Sequence, residues 1–155
     1  MKPFSFLTTK ELKPILALLK EQWGYEEKLE YAFVLTDKER IYIVNRSIDA
    51  LDLTKLRINS VGLYFAEFRN NELRLSIEGS QIIGPKATKN VVELDNAELK
   101  QWLRGEDLEK QNGAQGFVII KHGNDYLGCG KCKEGKILNF VPKARRLMNI
   151  VGDEE

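Results

Sequence analysis

Apolar residues recur at spacings of three and four from Leu12 through Ile15, Leu16 and Leu19 to Trp23, which predicts an amphipathic helix closed by Gly24. Thr8 and Glu11 have capping-box spacing, but a helix beginning there would enclose Pro14, so a start near Leu12 is expected. Tyr31 to Asp37 and Arg40 to Asn45 read as strands around a polar turn at Asp37-Lys38-Glu39, and Ser47 to Leu53 suggests a short helix. Ser60 to Arg69 and Glu72 to Gly79 read as further strands joined by Asn70-Asn71. In the first of these, Val61, Leu63, Phe65 and Glu67 alternate with Tyr64, Ala66 and Phe68. Both faces are largely apolar, which predicts a central strand covered on both sides.

Ile82 to Asn90, with Gly-Pro and two lysines, reads as a linker. Beyond it, Val91 to Leu94 predicts a short strand. Asp95 and Glu98 form a second capping box, opening a helix that buries Ala97, Trp102 and Leu103 and stops at Gly105. After the loop Lys110 to Gly116, three strands are expected: one at Phe117 to Lys121, one at Tyr126 to Cys132 and one at Ile137 to Val141. The predicted fold is an α+β N-terminal domain over 1–84 followed by a small β-barrel with one helix over 85–155.

Composition narrows the function less than the placing of charge does. The chain has 155 residues, 43% hydrophobic and 30% charged, with a net charge of +1. No apolar run approaches the roughly 20 residues that cross a bilayer. The apolar run Ile15 to Leu19 is flanked by lysines, unlike a signal peptide. A cytoplasmic location is expected, or a nucleolar or nuclear one in a eukaryote, with no membrane partner. From residue 116 to residue 150 there are seven Lys and Arg against two acids, so positive charge gathers late in the chain.

The same late segment holds the two cysteines, Cys129 and Cys132, spaced C-x-x-C. A zinc site needs four ligands, and here there is no second pair and a single histidine, His122. In a strand, positions three apart point to opposite faces, so the two thiols should diverge. The reading is incidental strand residues, with no metal and no cofactor. His122 lies in a predicted turn, where contact with RNA is a better expectation than catalysis. Gly128 and Gly130 fit neither a dinucleotide fingerprint nor a Walker pattern, and glycine in a strand more often marks a bulge or a close backbone approach. A cationic cluster is more often a solvated face than a site. Here, however, the cations fall on consecutive hairpins of one small barrel and are expected to converge, and Arg and Lys both bind phosphate.

Residues 91–131 resemble a PUA domain, with Arg104-Gly105 and Leu127-Gly128-Cys129-Gly130 carrying the likeness. That family forms small pseudo-barrels that bind structured RNA, which implicates Arg104, Gly105 and Lys110 beside the late basic positions. In the first half, Arg40 to Val44, Ser60 to Leu63 and Leu73 to Leu75 resemble the pre-PUA domain of the Nip-seven ribosome-biogenesis factors. That likeness implies binding of precursor ribosomal RNA in large-subunit assembly, with protein partners. Lys136, Asn139, Pro142, Lys143 and Arg146 are instead similar to the PUA-like tail of Nol1/Nop2/Sun RNA cytosine methyltransferases. That enzyme's cofactor glycine loop and proline-cysteine catalytic context are absent from this sequence.

Together these imply a noncatalytic RNA-binding protein of ribosome biogenesis, or an accessory RNA-binding module for a modification enzyme. Lys121, Lys131, Lys143, Arg145 and Arg146 are expected on phosphates, Arg104 and His122 on a base or sugar, and Gly105 and Gly128 at close backbone approaches. The rivals from other classes are an RNA-modifying, redox or metal enzyme using Cys129 and Cys132, and a protein adaptor for an acidic partner.

Overall fold

The structure, a computed structural model, describes residues 4–36, 39–45 and 62–147. The expected helix at Ser47 to Leu53 and the start of the strand at Ser60 lie outside these residues. Two five-stranded sheets make up the molecule. The first runs β1 (Phe4–Phe6), β2 (Tyr31–Thr36), β3 (Arg40–Asn45), β4 (Leu63–Arg69) and β5 (Glu72–Leu75), each antiparallel to its neighbour. The second contains β6 (Val91–Glu93), β7 (Leu108–Glu109), β8 (Gly116–His122), β9 (Asp125–Lys133) and β10 (Lys136–Asn139), in the order β6-β8-β9-β10-β7. It curls into a half-barrel, with β6 and β7 as its edges, in keeping with a PUA-like domain.

Helix α1 (Thr9–Trp23) begins earlier than its proline suggests. Thr8 accepts from the Glu11 N–H, and the Glu11 carboxylate accepts from the Thr8 N–H, so the capping box forms and Pro14 is enclosed. Those two bonds satisfy orphan donors of the first turn and outweigh the one donor that proline removes. The helix buries Leu18 beside Ile15, Leu19 and Trp23, while Leu16 stays exposed.

The strand expected to run to Gly79 stops at Leu75, because Ser76 caps a helix, α2 (Ile77–Ile83). Its hydroxyl accepts from the Gly79 N–H and donates to the Tyr64 carbonyl. The expected linker is likewise ordered. It continues from α2 into a 3-10 turn at Gly84–Lys86, and the Asn90 side chain donates to the Gln22 carbonyl at 2.5 Å. Helix α3 (Asn96–Leu103) carries its capping box on Asp95 and Glu98 and buries Trp102, but Ala97 faces solvent.

The β8–β9 hairpin joins the halves. Ile119 and Cys129 enter one core with Trp23, Phe33, Phe65 and Leu73 of the first half. Val118 and Ile120, on the opposite face, enter a second core around Trp102, with Leu108 and Ile137. β4 is covered as expected at its centre: Phe65 and Ala66 are both fully buried, helped by a bulge where the register with β3 shifts.

Candidate nucleic-acid interface

Alternation along β3 sends Ile41 and Ile43 into the core and leaves Arg40 and Tyr42 on the outer face. In β5 the same rule buries Leu73 and Leu75 and turns Arg74 outward. Tyr64 of β4 completes the group, with the Arg40 guanidinium 5.6 Å from its ring centroid and the Tyr42 ring at the same separation. Burial holds the Tyr64 phenol above its ordinary pKa, against the pull of Arg74 and Arg40.

Arg74 then reaches across the seam between the sheets. Its guanidinium lies 4.6 Å from the ring centroid of Phe140, the residue just after β10. Phe140 stands 6.1 Å from Phe117 of β8, and Lys131 of β9 sits 5.1 Å over Phe117. Cations and rings therefore form a continuous strip, Lys131, Phe117, Phe140, Arg74, Tyr64 and Arg40, that crosses from the second sheet to the first. Beside it opens a cleft of ≈ 290 Å³, whose walls include Arg40, Tyr64, Arg74, Phe140, Pro142 and Arg145. Two carboxylates moderate the charge. Glu67 pairs with Arg74 at 3.3 Å, and Glu78 of α2 accepts from Arg145 at 2.6 Å. Among the described residues, Arg40 has no ion pair.

The expected contact residues do not gather on one face. Arg145 reaches this cleft, and Lys143 stands exposed beside it on the 3-10 turn Lys143–Arg145. Arg146 is exposed but tied to the chain: its Nε donates to the Val141 carbonyl at 3.0 Å, and its side chain lies over Gly105. Gly105 has φ +89°, so both its backbone and its missing Cβ serve the fold. Gly128 packs against Ile77 of α2 and also forms part of the cleft lining, while Gly130 is buried against Trp102 and Ile137. Arg104 lies 3.6 Å from Glu106, and Lys110 is held by Glu98 at 3.0 Å. Lys121 sits 5.6 Å over the Tyr126 ring. His122 Nε2 is 2.8 Å from Asn96 Oδ1. Lys110, Lys133 and Lys136 line a separate open groove.

The thiols diverge. Cys129 is buried in the shared core, where burial pushes its pKa up to about 12, while Cys132 packs against the Trp102 core. Among the described residues, no group of three or more His, Cys, Asp and Glu is placed to hold a metal.

Sequence reading by charge runs missed Arg40, Tyr64, Arg74 and Phe140. The alternation in "RIYIVN" and "ELRL" was the available signal, since it already puts Arg40 and Arg74 on outer faces.

A half-barrel that takes Trp102 of a capped helix into its core, joined through a shared core to an α+β layer, is the class of architecture the geometry defines. Residues 89–147 match the family described as the methyltransferase RsmF PUA domain, so a PUA-like domain of that kind occupies the second half. The chain is 28% identical over 142 residues to ribosomal RNA small subunit methyltransferase F of Aeromonas salmonicida (strain A449), covering 91% of this chain and 29% of that protein. The protein of the same name from Vibrio cholerae serotype O1 (strain M66-2) is 27% identical over 143 residues, with 91% and 30% covered. The chain thus spans about three tenths of the length of the curated relatives it matches.

These matches support the methyltransferase-tail resemblance. They give none to the Nip-seven one, because the same relatives align over most of the first half as well. A nucleolar location likewise gains no support from bacterial relatives. No described helix is long and apolar enough to cross a membrane.

Proposed function

We propose that this chain is a noncatalytic RNA-binding module that serves ribosomal RNA methylation, holding the RNA rather than transferring the methyl group. The observation that carries this reading is the match of residues 89–147 to the PUA domain of an rRNA methyltransferase. Ribosomal RNA of the small subunit is the ligand that the relatives' name points to. The interface supports it chemically. Stacked rings interleaved with Lys and Arg suit a polymer of phosphates and flat bases, because cations release condensed counterions and rings stack on any base. A nucleophilic role for Cys129 is opposed by its burial, since attack needs the thiolate and its pKa is pushed up to about 12.

The contact surface proposed here runs along the strip and the exposed end of the chain's basic segment, with Lys131, Lys143, Arg40, Arg74 and Arg145 on phosphates. Lys121, Arg104 and His122 would meet RNA at its margins. The test is binding of small-subunit rRNA fragments to the Lys131→Glu/Lys143→Glu variant across a salt series. Affinity should fall on the order of tenfold, and the salt slope should flatten by about one unit for each phosphate no longer neutralised. Unchanged affinity and slope would remove this surface from consideration.

A further inference from the structure

We propose that the seam cleft receives one unpaired nucleotide of the bound RNA, its base on the Arg74 guanidinium that Phe140 backs, beside Tyr64, and its phosphate on Arg40 and Arg145. This deepens the RNA-binding reading and rests on it.

The cleft belongs to neither half alone. Arg40, Tyr64 and Arg74 come from β3, β4 and β5, while Phe140, Pro142 and Arg145 follow β10. Its volume of ≈ 290 Å³ lies at the small end of the roughly 300–1,000 Å³ that ligand pockets span, so it has room for a nucleoside and not for a helical turn. Leu75, Ile77 and Val141 contribute apolar lining, and the guanidinium groups stand among them. A flat, aromatic, weakly polar body attached to an anion matches that arrangement. A paired base cannot enter, because its faces are covered by its neighbours in the stack, whereas bases in loops and bulges are free to splay out onto aromatic rings and guanidinium planes.

The charges are suited to exchange. Glu78 pairs with Arg145, Glu67 is shared between Arg74 and Arg69, and Arg40 has no ion pair among the described residues. The Arg145–Glu78 bond joins the two halves, with the arginine side chain 49% exposed. Such a pair contributes little in water, so a phosphate can replace the carboxylate on Arg145 at small cost. Arg74 is already stacked on Phe140 and needs no rearrangement to present its plane to a base.

The experiment uses three forms of one RNA hairpin: fully paired, carrying a one-nucleotide bulge, and carrying an abasic residue at the bulge. A fourth form places 2-aminopurine in the bulge. The bulged hairpin should bind about tenfold more tightly than the paired one. The abasic form should lose most of that gain, and 2-aminopurine fluorescence should be quenched on binding. Phe140→Leu, which keeps the apolar bulk, and Arg74→Lys, which keeps the charge, should each bring the ratio of bulged to paired affinity towards one. Equal affinity for the paired, bulged and abasic forms, with unchanged fluorescence, would overturn the nucleotide site and leave RNA binding standing. Failure of all the hairpins to bind at low salt would overturn both.

Discussion

The basic segment Pro142 to Arg146 and the outer face of β3 to β5 make an instructive contrast. The first is dense in charge along the chain, yet Arg145 is paired with Glu78 and Arg146 lies over Gly105, which leaves Lys143 as the cation of that run with no partner among the described residues. The second is sparse in sequence, yet Arg40 and Arg74 meet around Tyr64 and Phe140. Linear charge density therefore counts cations without saying which remain available. Hydrogen bonds and stacking decide that, and they depend on partners far away in sequence.

The contrast breaks most visibly at Gly105. Gly105→Ala drives a Cβ into Arg146 Cδ and Nε, at a backbone angle that disfavours alanine. Arg146 must swing out and give up its bond to Val141, so stability should fall by about 2 kcal/mol, or roughly 4–8 °C of Tm by calorimetry. A variant as stable as the parent would return Arg146 to the set of available cations.

The thiols show the same division between committed and open groups. The raised pKa of Cys129 means that its contribution to stability is complete below about pH 8.5 and is lost as pH climbs towards about 12. Urea melts at pH 8 and pH 10 should differ by about 2 kcal/mol more in the parent than in Cys129→Ala. An equal difference in the two proteins would mean that the thiol ionises freely in the folded state.

The smallest effect is expected at Glu78. Glu78→Gln releases Arg145 from a pair that is half exposed, so stability should change by less than about 1 kcal/mol. Affinity for rRNA fragments, measured by filter binding, should rise about twofold to threefold as a carboxylate leaves the cleft. A fall in affinity would show that Arg145 works through its carboxylate partner and not through direct contact.

Much of the fold was legible from local rules. The capping box of α3, the β2–β3 and β4–β5 hairpins and the buried strand at Phe117 to Lys121 follow from pattern and spacing, whereas Pro14, weighed above the Thr8–Glu11 box, puts the expected start of α1 too late. Three further misses share a cause. β1, β7 and α2, which reads as strand and linker, depend on tertiary partners: β1 pairs with β2, β7 pairs with β10, and Ser76 bonds back to Tyr64. The site was half legible. The basic segment marked its rim, but Phe140 reads as the continuation of a strand until Asn139 ends that strand. Asn139 does so by donating to the Trp102 and Glu106 carbonyls and accepting from the Val141 N–H. Asn139 and Arg146, which carry the methyltransferase-like pattern, thus act as staples for the turn that presents Phe140 and Lys143.

The two-sided burial of β8 and β9 has one further consequence. A fragment beginning at residue 89, where the family match starts, would uncover Phe117, Ile119, Tyr126 and Cys129 together, as all four lie against the first half. Such a fragment would bear an adhesive stripe on an otherwise polar body and would tend to self-associate. The border drawn by sequence families is here not a place where the polypeptide can be cut.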